Sequence, residues 1–161
     1  MGIPLDANNN LWANEMGPKN GDELNLTEPS QNYGWPIVSN RNNYDGTIIP
    51  VHNTRPEFFA SKAYWVPKIA PSGLVIYSGK HFLNWEGDGL MGVLKSRALI
   101  RVNIDGKTAQ EAERFYWGKR IREVEEGPDI LLWVLEDDPK GRLIKLKSLD
   151  YYGPLNLINN Q

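Results

Sequence analysis

A threefold recurrence of paired strands constrains this chain more than any other feature of its sequence. In each copy an apolar strand meets a polar break and then a strand of alternating character. Leu11-Trp12-Ala13-Asn14-Glu15 leads to Glu23-Leu24-Asn25-Leu26. Leu90-Met91-Gly92-Val93-Leu94 leads to the stretch from Ala98 to Gly106, and Leu131 to Glu136 leads to the stretch from Arg142 to Lys147. Strict alternation is the mark of a strand with one wet face. Gly87-Asp88-Gly89, Asp105-Gly106 and Asp138-Pro139-Lys140-Gly141 supply the turns. About 42 residues separate Met91 from Trp133, the length of one four-stranded propeller blade. Trp12 to Met91 is about 79, one blade plus a long excursion. That excursion is placed at residues 40 to 62, where strand periodicity is weak.

Further strands are expected around Ser72 to Ser78, Arg114 to Trp117 and Arg120 to Glu125. Thr108 to Arg114 holds the best helix formers but is too short to stand alone, and reads as a loop or single turn leading into a strand. The expected fold is all-β, with about three four-stranded blades over residues 1–62, 63–117 and 118–148, followed by a tail over 149–161. An immunoglobulin-like sandwich is the competing all-β reading, but its strands should not recur with this period. Propellers close with roughly four to eight blades. Three blades make a half-ring whose terminal flanks would meet water, and exposed apolar flanks call for a partner.

Composition narrows the function. The chain has 161 residues, 40% hydrophobic and 24% charged, with a net charge of −2. That is ordinary for one domain with a real core, and no basic excess exists to release counterions from nucleic acid. No apolar run approaches 18 residues, so no membrane-spanning helix is expected. The absence of cysteine removes disulfides, thiolate metal sites and cysteine nucleophiles. No Ser-His-Asp spacing, phosphate loop or HExxH motif is present, and Glu136-Asp137-Asp138 reads as a turn. Met1 to Asn10 lacks the basic and apolar regions of an export signal.

Seven short motifs, in order, carry a resemblance. They are Glu15-Met16-Gly17-Pro18, Gly21-Asp22-Glu23-Leu24-Asn25, Asn32-Tyr33-Gly34-Trp35-Pro36, Asn43-Tyr44-Asp45-Gly46, Ile69-Ala70-Pro71-Ser72-Gly73, Leu94-Lys95 and Arg120-Ile121-Arg122-Glu123-Val124. In this order and spacing the chain resembles the C-terminal half of the soluble quinoprotein glucose and aldose sugar dehydrogenases, the glucose/sorbosone dehydrogenase family. The resemblance implies half of a six-bladed propeller that uses pyrroloquinoline quinone (PQQ) and calcium. It implies that the carbonyls of Gly17 and Pro18 hold the cofactor's calcium, a hard cation that wants oxygen. It implies that Lys95, Arg120 and Arg122 hold the cofactor's carboxylates and polarise its quinone oxygens. Lys68 stands where relatives carry a small hydroxyl residue that contacts the cofactor. Asp22 and Glu23, with the Tyr33 backbone, resemble a second, structural calcium site, to which Ser39 and Asn43 could add ligands. The plain alternative is that Asp22 and Glu23 are turn acids on a solvated edge and that each cation is an ordinary surface residue.

The resemblance also implies that a histidine base on an earlier blade abstracts the substrate proton. His52 and His81 do not match it and read as solvent-exposed loop histidines; Met16 stands where relatives often carry a histidine that is not the base. The chain is therefore expected to be inactive alone. Two functions follow: a partial sugar dehydrogenase that needs a complementary half-propeller, or a non-catalytic assembly module that homodimerises into a six-bladed ring. Relatives are usually periplasmic or secreted, and the location of this chain stays open.

Overall fold

The computed structural model describes residues 1–17, 19, 21–40 and 42–148, and the backbone of 155–157. Among the described residues, eleven strands form three antiparallel meanders. The first sheet joins β1 (Leu11–Glu15), β2 (Asp22–Thr27) and β3 (Ala63–Trp65). The second joins β4 (Pro71–Ile76), β5 (Gly89–Val93), β6 (Ala98–Asp105) and β7 (Thr108–Tyr116). The third joins β8 (Ile121–Glu126), β9 (Leu132–Glu136), β10 (Leu143–Ser148) and β11 (Leu155–Leu157). Residues 2–5 add an innermost member to the first sheet. Leu5 bridges Leu11, Trp12 donates its N–H to the Pro4 carbonyl at 3.0 Å, and Asn14 donates to Gly2 at 3.3 Å. These are stacked propeller blades, three of them.

Two apolar layers hold the blades together. Trp12, Leu24, Leu26 and Trp65 of the first sheet meet Leu74, Met91, Val93, Ile100 and Val102 of the second. The other face of the second sheet, through Leu90 and Leu99, meets Ile121, Val124, Leu132, Val134, Ile144 and Leu146 of the third. β5 is thus buried on both faces, which is why its sequence runs apolar without alternating. Inner strands approach closely: a Cβ on Gly2 would lie 2.4 Å from the Leu74 nitrogen, and one on Gly92 would lie 2.7 Å from Ile121 Cγ2. Buried polar groups stitch the same seam. Asn14 donates through Nδ2 to the Ser72 carbonyl at 3.0 Å, and Ser72 Oγ reaches the carbonyls of Gly92 (2.9 Å) and Ile121 (2.7 Å).

Several expectations change. Thr108 to Arg114 is neither loop nor turn but most of β7, the longest strand at nine residues. The hairpin at Asp105-Gly106, with Gly106 at φ 56°, returns the chain onto β6, and that long antiparallel ladder outweighs helix propensity. The first blade does not stop at residue 62, because Ala63–Trp65 pairs with β2. The third does not stop at 148, because Leu155–Leu157 pairs with β10; the rest of the 149–161 tail lies outside the described residues. Glu136 is not a turn acid but the buried last residue of β9. Among the described residues of 40–62 there is no strand, only a single 3-10 turn at His52–Thr54.

Candidate functional site

Register decides where the turns fall. Pairing of Glu15 with Glu23, Asp22 with Trp65, Val93 with Ala98, Ala98 with Tyr116 and Ile121 with Glu136 puts five connections on one end of the blades. These connections cover residues 16–21, 66–70, 94–97, 117–120 and 137–142. Gly17, Lys68, Lys95 and Arg120 sit in four of them, with Arg122 one residue into β8. The cofactor positions implied by the resemblance, far apart in sequence, therefore share one rim; Pro18 lies outside the described residues.

Asp22 ties the first two of these turns together. Its Oδ1 accepts the Gly17 N–H at 3.1 Å, and its Oδ2 accepts the N–H groups of Ile69 (2.7 Å) and Ala70 (2.6 Å). The Ile69 carbonyl in turn accepts the Lys95 N–H at 2.9 Å, and the Ala70 carbonyl accepts that of Leu94 at 2.8 Å. Asp22 is fully buried. Asp22 is not a solvated turn acid: Oδ2 takes two backbone donors and Oδ1 one, so Oδ1 keeps one lone pair for any further partner.

The cations stand in different states. Lys95 is exposed, and Lys68 is half-buried with Nζ 5.8 Å from the Tyr44 ring centroid. Arg120 and Arg122 converge on one carboxylate oxygen of Asp137, at 2.6 and 3.1 Å, beside a shallow recess of about 540 Å³. The Arg120 carbonyl accepts the Asp137 N–H at 2.8 Å, which fixes that backbone. An incoming ligand carboxylate would find two guanidinium groups already oriented, with Asp137 as its competitor.

A second cavity, about 500 Å³, opens between the β1–β2 turn and the excursion, and Glu15, Gly17, Glu23, Tyr33, Ser39 and His52 contribute to its wall. Burial raises the Glu23 pKa, and the neighbouring Glu15 carboxylate raises it further. Asn40 Nδ2 donates to Glu23 Oε1 at 2.9 Å, and Asn25 Nδ2 donates to Glu15 Oε1 at 2.7 Å. Glu23 is thus buried, correcting the solvated-edge reading, and among the described residues it makes no ion pair, with His52 as a weak opposing influence. The chemistry of Glu23, Glu15 and the half-open wall suits a hard cation, although no three acid or histidine groups among the described residues stand close enough to hold a metal by themselves. Backbone oxygens would have to complete such a shell. The Tyr33 carbonyl is one, and it accepts His52 Nε2 at 3.0 Å.

His52 is a second correction. It is only 8% exposed, with Nδ1 buried and without a hydrogen-bond partner. The excursion packs over the first sheet, burying Val38, Ser39 and Ile49 along with His52, and no periodicity in the sequence signals that packing. No local sequence signal marks Asn40 or His52 as a site residue, and only the Glu15-Met16-Gly17-Pro18 motif points to Glu15. His81 is half-buried beside the Tyr77 hydroxyl, which accepts its N–H at 2.9 Å. Asn43 lies in a turn closed by its own carbonyl to Gly46, at 3.0 Å.

Meander sheets packed face to face, with inner edges converging and one rim of turns, define a segment of a β-propeller. The profile described as Glucose / Sorbosone dehydrogenase matches residues 1–145. This chain belongs to that family. It is 37% identical over 146 residues to aldose sugar dehydrogenase YliI of Escherichia coli, covering 86% of this chain and 38% of that one. The crystal structure of the apo-form soluble aldose sugar dehydrogenase from Escherichia coli superposes with a TM-score of 0.79 at 34% identity, over 90% of this chain and 43% of that one. The PQQ-bound aldose sugar dehydrogenase of Streptomyces coelicolor does so with a TM-score of 0.68 at 26% identity, over 91% and 42%. The chain thus spans well under half the length of the relatives it matches, and its architecture is half a propeller.

Proposed function

We propose that this chain supplies one half of a PQQ-dependent sugar dehydrogenase propeller, including part of the cofactor and calcium rim but not the proton-accepting histidine. The observation that carries this reading is the shared rim: Gly17, Lys68, Lys95, Arg120 and Arg122 fall on connections at one end of three adjacent blades. PQQ, when bound, would supply the acceptor that takes a hydride from a sugar carbon. The residues of this chain bind and orient it. The Gly17 carbonyl would offer an oxygen to the calcium, as the resemblance implies for Pro18 too, Lys95 stands on the β5–β6 turn and Lys68 on the link from β3 to β4, and Arg120 with Arg122 present a guanidinium pair to carboxylates. A structural calcium at Glu23, with the Tyr33 carbonyl, would offset the mutual repulsion of the Glu15 and Glu23 carboxylates.

An assembly reading stands beside it, favoured by the third sheet. The alternation opposite to its core face sets Leu135 against Leu143, and Leu143 is 62% exposed. Such a flank suits a complementary half-propeller or a second copy closing a six-bladed ring. Titration with PQQ and calcium, followed by dye reduction with glucose, separates the readings. Binding without turnover is expected of the partial enzyme, and no binding of an assembly module. Dye reduction by this chain alone would overturn the missing-base argument.

A further inference from the structure

We infer that Asp22 is a positioning residue, which presets the backbone at Gly17 against the Ile69–Ala70 turn and leaves metal coordination to other groups. For its cofactor arm this rests on the function proposed above; its structural arm does not. The geometry has three parts. First, each oxygen of a carboxylate can be read for what it faces, and here both face N–H groups, the positive ends of peptide dipoles. Both acceptor sites of Oδ2 are taken, and a divalent cation would be left with the second lone pair of Oδ1, beside the Gly17 N–H.

Second, the successive N–H groups of Ile69 and Ala70 converge on one oxygen, and Ala70 itself adopts the left-handed conformation, at φ 56°. Successive amides turned this way form an anion-binding concavity, and the anion it holds is the side chain of Asp22. A non-glycine residue in that conformation is strained, and the bond to a buried charge offsets the strain. Third, the chain of bonds continues. Ile69 and Ala70 hand their carbonyls to Lys95 and Leu94, so one buried carboxylate sets the spacing of the turns bearing Gly17, Lys68 and Lys95. Placement of calcium-holding backbone relative to cofactor-holding cations is the property such a residue would control.

The test uses the full chain and Asp22→Asn, which keeps the shape but turns an amide NH₂ toward the backbone donors. Amide exchange is followed by NMR. Exchange at Gly17, Ile69 and Ala70 is expected to quicken by about tenfold or more, while amides of β8 to β10 hold their rates. PQQ affinity at saturating calcium should weaken by about tenfold, whereas calcium affinity without PQQ should stay within about twofold. If Asp22→Asn does not fold, Asp22→Glu is read the same way, since one added methylene moves the oxygens off the three donors. Unchanged exchange at the three amides would overturn the proposal, as would a tenfold loss of calcium affinity without PQQ. A wild-type chain that binds no PQQ would count against the proposed function, and the exchange data would still decide the role of Asp22.

Discussion

Trp117 donates its indole N–H to Glu136 Oε1 at 2.9 Å, joining the end of the second blade to the last residue of β9 in the third. Arg142 engages the same carboxylate from across the turn, at 2.7 Å to Oε1, and Lys119 lies 3.4 Å from Oε2. A buried acid at a blade boundary is tolerable only with this many donors.

These contacts, Arg142 foremost, hold the Glu136 pKa down at about 2 against an ordinary 4.5. A depressed carboxylate stabilises the fold above its unfolded pKa, and that stability fades as pH falls from about 4.5 toward 2. Glu136→Gln should lower stability at pH 7 by about 1–3 kcal/mol and flatten the acid limb of the curve. Thermal unfolding of both proteins from pH 2 to 7 checks this; parallel curves would exclude the assignment.

Glu23 has the opposite sign. Its raised pKa comes first from burial and then from Glu15. Its favourable contribution is complete below the ordinary 4.5 and is lost as pH climbs through the elevated value. Without calcium, Glu23→Gln should melt about 2–4 °C above wild type at pH 7, with the gap closing near pH 4. Added calcium should raise the wild-type melting temperature and leave the variant unmoved. Equal calcium responses would remove Glu23 from any cation site.

The inner seam should be intolerant of added volume. Gly92→Ala would set a methyl carbon 2.7 Å from Ile121 Cγ2 and 3.0 Å from Ser72 Oγ, at the point where β4, β5 and β8 meet. A loss of about 1–3 kcal/mol is expected in denaturant unfolding. Gly89→Ala, in the same strand, serves as the control, since its added carbon would meet nothing closer than 3.4 Å and its backbone is not left-handed. Equal losses would mean that the seam is looser than drawn.

Mass in solution tests the flank. The chain weighs 18.3 kDa, and a self-paired ring would double that. If a dimer forms through the third blade, Leu143→Glu should return it to monomer without changing the melting of the isolated chain by more than about 0.5 kcal/mol. A dimer that survives Leu143→Glu would place the contact elsewhere.

Period-two alternation in β2, β6 and β10, the turn dipeptides and the 42-residue spacing, about one blade, specify stacked four-stranded sheets. The reading failed where local preference and long-range pairing disagree. Thr108 to Arg114 is rich in helix formers, yet pairing along the whole of β6 makes it a strand. It failed again where loops pack, because His52 and Ser39 sit in an aperiodic stretch whose burial depends on the sheet beneath it.

The amino-acid order, by itself, determined the blade repeat, the apolar β5 and the motifs that mark the family, since each is a local pattern of side chains along an extended backbone. Only the tertiary structure decided that five turns share a rim, that Glu136 and Glu23 are buried with opposite consequences, and that both oxygens of Asp22 face backbone amides. The reason is physical: burial, field and hydrogen-bond supply at a carboxylate come from segments tens of residues away, and its own neighbours in sequence do not encode them.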